Sequence, residues 1–119
     1  MKARAIRPRR SKPRRPGPIE RVFQALGDPT RRAIVERLSS GPRSVTNLAE
    51  PLGITLTAVA QHVRVLQRAG LAKSSKSGRT RTCELDSGGL DVLETWIHHQ
   101  RSLWEQRLDR LGAVLSEEN

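Results

Sequence analysis

From residue 19 onward the apolar positions recur at helical spacing. Ile19, Val22, Phe23 and Leu26 fall at i, i+3, i+4 and i+7 and predict a short first helix that Gly27 ends. Asp28 is placed to cap a second helix with Pro29 at its first position, where the missing N–H costs nothing. That helix runs through Ile34, Val35 and Leu38 and stops near Gly41-Pro42. Ser44 or Thr46 opens a short third helix containing Leu48 and Leu52, which Gly53 ends. Thr55 caps a fourth, whose buried stripe is Val59, Val63 and Leu66, and Gly70 ends that one.

The period then changes. LAKSS and RTRTCEL flank Lys76-Ser77-Gly78-Arg79 and predict a hairpin with glycine at the turn. Asp86-Ser87 caps a long last helix. Its stripe is Leu93, Ile97, Gln100, Trp104, Leu108, Leu111 and Leu115, widened by Trp96 and Leu103. Two helices joined by the tight Gly53-Ile54-Thr55 turn make a helix-turn-helix, and the basic hairpin after it supplies a wing. The fold class expected is mainly α with a small β-hairpin, a winged helix-turn-helix.

The polar face of the fourth helix is unusual for a surface helix. Leu56, Thr57, Ala60, Gln61 and Arg64 carry a single charge between them. In a helix-turn-helix the second helix enters the major groove with its N-terminal residues against base edges. Thr57 and Ala60 allow close approach, Gln61 offers the donor and acceptor that an adenine edge requires, and Arg64 reaches guanine or phosphate. Thr55 belongs to the same end. Leu56 is either a base contact or a packing residue against the preceding turn. His62 beside the core stripe is either a packed, hydrogen-bonded histidine or a phosphate contact. On the wing, Arg79 at the turn suits a narrow minor groove. Lys76 and Arg81 suit phosphates, fixing position without reading sequence.

Charge divides the chain. Residues 1–17 carry +8, residues 18–86 carry +5 and residues 87–119 carry −3, within a net charge of +10. The chain is thus read as an arm (1–18), rich in proline and arginine and expected to be disordered, a winged domain (19–86) and a last helix (87–119) with a different task. The apolar stripe of that helix, with Ile19, Val22 and Phe23, is expected to pair two copies through Leu93, Trp96, Ile97, Trp104, Leu108 and Leu111. Cys83 is the only cysteine, so no disulfide forms within one chain. No apolar run reaches the ~18 residues of a membrane span. A cytoplasmic protein is the default expectation, and no cofactor is implied.

ALGDPTRRAIVERL, VTNLAEPLGITLTAVAQHVRVLQRAGL and SGRTRTCELD resemble the ArsR/SmtB family of bacterial winged-helix repressors over roughly residues 19–111. Asp28-Pro29-Thr30-Arg31, Gln61-His62-Val63, Ala69-Gly70-Leu71 and Gly78-Arg79 stand where the family has its marks. The end, LETWIHHQRSLWEQRLDRL, is similar to a subgroup with Trp-Glu-x-Arg-Leu-Asp-x-Leu in its last helix. The resemblance implies a homodimer, paired through first and last helices, that represses transcription at an operator near a promoter until a signal, here an unknown inducer, releases it. Two departures matter. Ser44 and Thr46 occupy the positions where the family's metal sensors carry thiolates. His98 and His99 are adjacent and so point about 100° apart on a helix. No metal site is therefore expected. Ala60 replaces a serine common in the family.

The competing reading is a winged protein-interaction or RNA-associated module without operator specificity. An enzyme is disfavoured, since there is no glycine-rich phosphate loop, metal cluster or nucleophile–base pair at recognisable spacing.

Overall fold

The computed structural model describes residues 15–117. The expected disordered arm falls mostly in residues 1–14, outside the described residues. Five helices and three strands follow: α1 (Pro18–Leu26), α2 (Pro29–Leu38), β1 (Arg43–Ser44), α3 (Val45–Leu52), α4 (Leu56–Arg68), β2 (Ala72–Ser77), β3 (Thr80–Leu85) and α5 (Ser87–Glu117). Helix α1 starts at Pro18, one residue inside the expected arm, because proline fits the first helical turn.

The caps follow from side chains within hydrogen-bonding reach. Asp28 Oδ2 accepts from the Arg31 N–H at 3.1 Å and opens α2. Ser44, not Thr46, opens α3, accepting from the Asn47 N–H at 3.1 Å. Thr55 Oγ1 accepts from the Ala58 N–H at 3.1 Å and opens α4. The two arginines that follow Asp28 close the helix before it. Arg31 donates to the carbonyls of Ala25 at 2.7 Å and Gln24 at 2.9 Å, and Arg32 donates to that of Leu26 at 2.6 Å. The Gln24 carbonyl also accepts the Gly27 N–H at 3.3 Å, whereas those of Ala25 and Leu26 stand at the C-terminus of α1, where carbonyls run out of helical partners and the helix dipole favours cations. Asp-Pro-Thr-Arg-Arg therefore begins one helix and ends another.

Ile34, Leu38, Leu48, Val59, Leu66 and Leu71 meet in a fully buried core, joined by Val22, Ala25 and Cys83. Val22 is 0% exposed, so it belongs to the protomer's own core and leaves the pairing surface expected of it. Leu93 is likewise half-buried against that core. The sheet has three strands in the order β1-β3-β2, one more than the expected hairpin. Arg43 and Ser44 pair antiparallel with Cys83 and Thr82. Two residues are too short a run to show a period of two, which is why the sequence pattern misses β1.

Helix α5 spans 31 residues, about 46 Å at 1.5 Å per residue. Its first turn is locked to the end of α4. The Asp86 N–H donates to the Leu71 carbonyl at 3.0 Å, and the Gly89 N–H donates to the Gly70 carbonyl at 2.7 Å. Helix α1 packs on its N-terminal part, where Phe23 meets Trp96 edge to face with ring centroids 4.9 Å apart. Among the described residues no helix is long and apolar enough to cross a membrane.

Candidate nucleic-acid interface

The outward face of α4 is built by its own amphipathic spacing. With Val59, Val63 and Leu66 buried, the helix turns Thr57, Gln61 and Arg64 outward and leaves Ala60 half-exposed. Leu56 is 54% exposed and lines a cleft with Thr57, Ala60, Arg79 and Arg81, so it faces the wing rather than packing into the preceding turn. This cleft, about 470 Å³, lies between the start of α4 and the wing, and Ser44 and Thr46 stand on its α3 side. Thr55 Oγ1 is engaged as the acceptor of the α4 cap, leaving its O–H to donate outward.

His62 does not join this face. One position on from Gln61 it turns toward α2, where its Nδ1 lies 3.7 Å from Asp28 Oδ2 and 3.5 Å from the Arg31 guanidinium. Of the two readings open from sequence, the packed histidine is the one consistent with this geometry. A wheel drawn on α4 alone places His62 beside the stripe without naming its neighbour; Arg31 arrives from 31 residues away, with Asp28 three residues before it.

The wing is a two-stranded ladder closed by Gly78, whose φ of 61° suits a residue without a side chain. Its register sorts the charges. At the base Lys73 faces Glu84, an opposite-charge pair. Nearer the tip Lys76 faces Arg81 directly, with Arg79 in the turn. Like charges opposite one another weaken a ladder, so the tip carries concentrated positive charge at some cost to its own stability. Arg81 is steered by a 2.9 Å hydrogen bond to the Ser74 hydroxyl. Lys76, Arg79 and Arg81 are all exposed.

Cys83 is fully buried in β3, opposite Ser74 on β2 and Arg43 on β1. Burial raises its pKa above the ordinary thiol value, and the nearby Arg81 charge only partly offsets this. The thiol form that results is the unreactive one. Among the described residues no three His, Cys, Asp or Glu side chains converge as a metal site would require. His98 and His99 are both exposed on α5.

Of the expected pairing residues, Phe23, Trp96 and Ile97 are partly exposed where α1 crosses α5, and Ile19 is half-buried there. Trp104, Leu108 and Leu111 lie farther along α5, each more than half exposed, and Val114 and Leu115 extend the same patch.

Comparison with known proteins identifies relatives of this fold. A family profile described as a helix-turn-helix domain matches residues 26–74. The chain is 47% identical over 99 residues to the HTH-type transcriptional regulator Rv2034 of Mycobacterium tuberculosis, covering 83% of this chain and 90% of that protein. It is 30% identical over 79 residues to the transcriptional repressor SdpR of Bacillus subtilis, covering 66% of this chain and 88% of that one. Among solved structures, a crystal structure of an ArsR family transcriptional regulator superposes with a TM-score of 0.71 at 39% identity, covering 75% of this chain and 98% of that one. The solution structure of a homodimeric winged helix-turn-helix DNA-binding domain from Mycobacterium bovis, a possible ArsR-family regulator, superposes with a TM-score of 0.56 at 26% identity, covering 75% and 81%.

Proposed function

Because this chain belongs to the ArsR/SmtB family of winged helix-turn-helix transcriptional regulators, we propose that it is a homodimeric repressor that reads its operator with α4 and clamps it with the wing. One observation carries this reading: the nearly uncharged face at the start of α4 stands across a cleft from a wing tip whose cations oppose one another. Long charged side chains would hold the α4 backbone away from base edges, and small polar ones let it approach. Gln61 and Arg64 are the base readers, and Thr57 and Ala60 make room. Lys76 and Arg81 take phosphates, and an anion between them removes their mutual repulsion. The repressor direction draws on the likeness to the repressor SdpR, and pairing on the likeness to the homodimeric domain. The protein works where its DNA is, in the cytoplasm.

This regulator responds to something other than a transition metal. Ser44 stands at one thiolate position with its Oγ bound to the Asn47 N–H, and Thr46 at the other is an exposed hydroxyl. Both are poor ligands for thiophilic ions. Titration calorimetry with zinc, copper and nickel should show no stoichiometric sub-micromolar site; one tight site per subunit would overturn this part.

The test of the whole reading compares affinity for DNA from immediately upstream of the coding region with affinity for random duplex, across a salt series. Losing a bidentate base contact costs ~1–3 kcal/mol of discrimination, so Gln61→Ala narrows the gap between the two DNAs. Losing a phosphate contact weakens binding to all sequences and lowers the salt slope by about one, so Lys76→Ala leaves the gap unchanged. Equal weakening of both DNAs by Gln61→Ala would remove α4 as the reader and favour a non-specific or protein-binding module.

A further inference from the structure

Thr57, Gln61, Arg64 and Arg68 follow one another at i, i+4, i+7 and i+11, and all four are exposed. The outward stripe of α4 thus runs the length of the helix and finishes on an arginine. Eleven residues at 1.5 Å each place Arg68 about 16 Å along the axis from Thr57, whereas the major groove is about 8.5 Å deep. A helix whose first turns touch base edges therefore carries Arg68 past the bases to the groove wall, where phosphates stand.

Arg68 has company there. A cleft of about 490 Å³ brings Val65 and Arg68 of α4 together with Arg21 and Gln24 of α1, and with Pro16 just before α1. Both arginines are exposed, and among the described residues neither lies within salt-bridge distance of a carboxylate. Two guanidinium groups and a side-chain amide thus border one cleft. The chain preceding Pro16 adds Arg15 and, in residues 1–14, seven further Lys and Arg, covalently attached at this point.

We infer that the Arg21–Gln24–Arg68 cleft is a second site for DNA backbone phosphate, on the α1 flank of the last turns of α4, whereas the wing lies along another flank. The inference rests on the reading of α4 as the groove helix. The occupant is set by charge and by continuity: the cleft is cationic, it lies at the end of the outward stripe, and a planar guanidinium donates two parallel N–H bonds to phosphate oxygens. The site gives α1 a role in DNA contact on one side while its Phe23 packs on Trp96 of α5 on another.

The test uses the full chain and two duplexes, one from immediately upstream of its coding region and one of random sequence and equal length. Arg21→Gln and Arg68→Gln each lower the slope of log K against log salt by about one, and the double variant by about two. Both duplexes are weakened by the same factor, and hydroxyl-radical protection recedes at the outer edge of the footprint. The double Arg21→Lys, Arg68→Lys variant restores most of the slope, which a folding defect in the glutamine pair would not predict. A double glutamine variant with the wild-type slope and footprint overturns the phosphate site and leaves the α4 reading standing. Equal weakening of both duplexes by Gln61→Ala overturns the α4 reading itself.

Discussion

Gly89 is the tightest point between the end of α4 and the start of α5. A Cβ there would press onto the Ala69 carbonyl oxygen and come within 3.0 Å of the Gly70 carbonyl. Those are backbone atoms and cannot rotate away, and Gly70, at a φ of 72°, is itself fixed by the turn that ends α4. Gly89→Ala should cost ~1–3 kcal/mol, the usual cost of overpacking, and lower Tm by ~4–8 °C per kcal/mol. A thermal melt that matches wild type would show that the α4–α5 junction gives way easily. Cys83 makes a second prediction at this scale. Its folded pKa is raised, so the unfolded chain loses the thiol proton first as pH climbs. The stability held by the buried thiol is fully present below the unfolded value, about 8.5, and is lost as pH rises from there toward the folded value. Cys83→Ala should flatten the fall in stability above pH ~8.5, and a thiol reagent should label wild type only as fast as the protein opens.

At the scale of elements, the sequence is informative wherever a period or a cap is local. The four winged-domain helices and the hairpin lie where spacing predicts, because each shows at least two turns of stripe or a glycine at its bend. The caps Asp28 and Thr55 are legible for the same reason: a cap and its partner N–H lie three residues apart. What the sequence cannot show is partnership across distance. Strand β1 exists only because Arg43 and Ser44 meet Cys83 and Thr82. His62 stands beside the core stripe by its helical position, but its partners Asp28 and Arg31 come from α2 and its cap, out of reach of local pattern. Val22 is drawn into the protomer's core while its neighbour Phe23 stays 43% exposed, a division invisible to a pattern that counts both as apolar. The like-charged pair of Lys76 and Arg81 emerges only from strand register. Arg68 was open to notice as the fourth member of the stripe from Thr57, but its meaning depends on Arg21 arriving from α1.

At the scale of the molecule, α5 is the element that a single protomer leaves unfinished. Helix α1 covers part of its N-terminal third, where Phe23 meets Trp96 edge to face. Beyond that Trp104 is 60% exposed, Leu108 59% and Leu111 55%, with Arg107 lying over the Trp104 ring at 5.8 Å. An apolar stripe of this length in water marks an interface, and the net charge of −3 on residues 87–119 directs it away from DNA. A second copy of α5, related by a two-fold axis, is the occupant that the proposed function requires, since a dimer presents two α4 helices to half-sites about one DNA turn apart. Under that symmetry Trp104 is lost twice by one substitution. At ~1.5–3 kcal/mol for each large side chain, Trp104→Ala should raise the dimer dissociation constant ~100-fold or more. The protomer should keep its melting profile at high concentration, because Trp104 lies outside its buried core. DNA affinity should fall at protein concentrations below the new dissociation constant and recover above it. Sedimentation of wild type across the micromolar range, with the variant beside it, is the measurement; a wild-type monomer throughout would leave the stripe without its second copy and the operator without its paired reader.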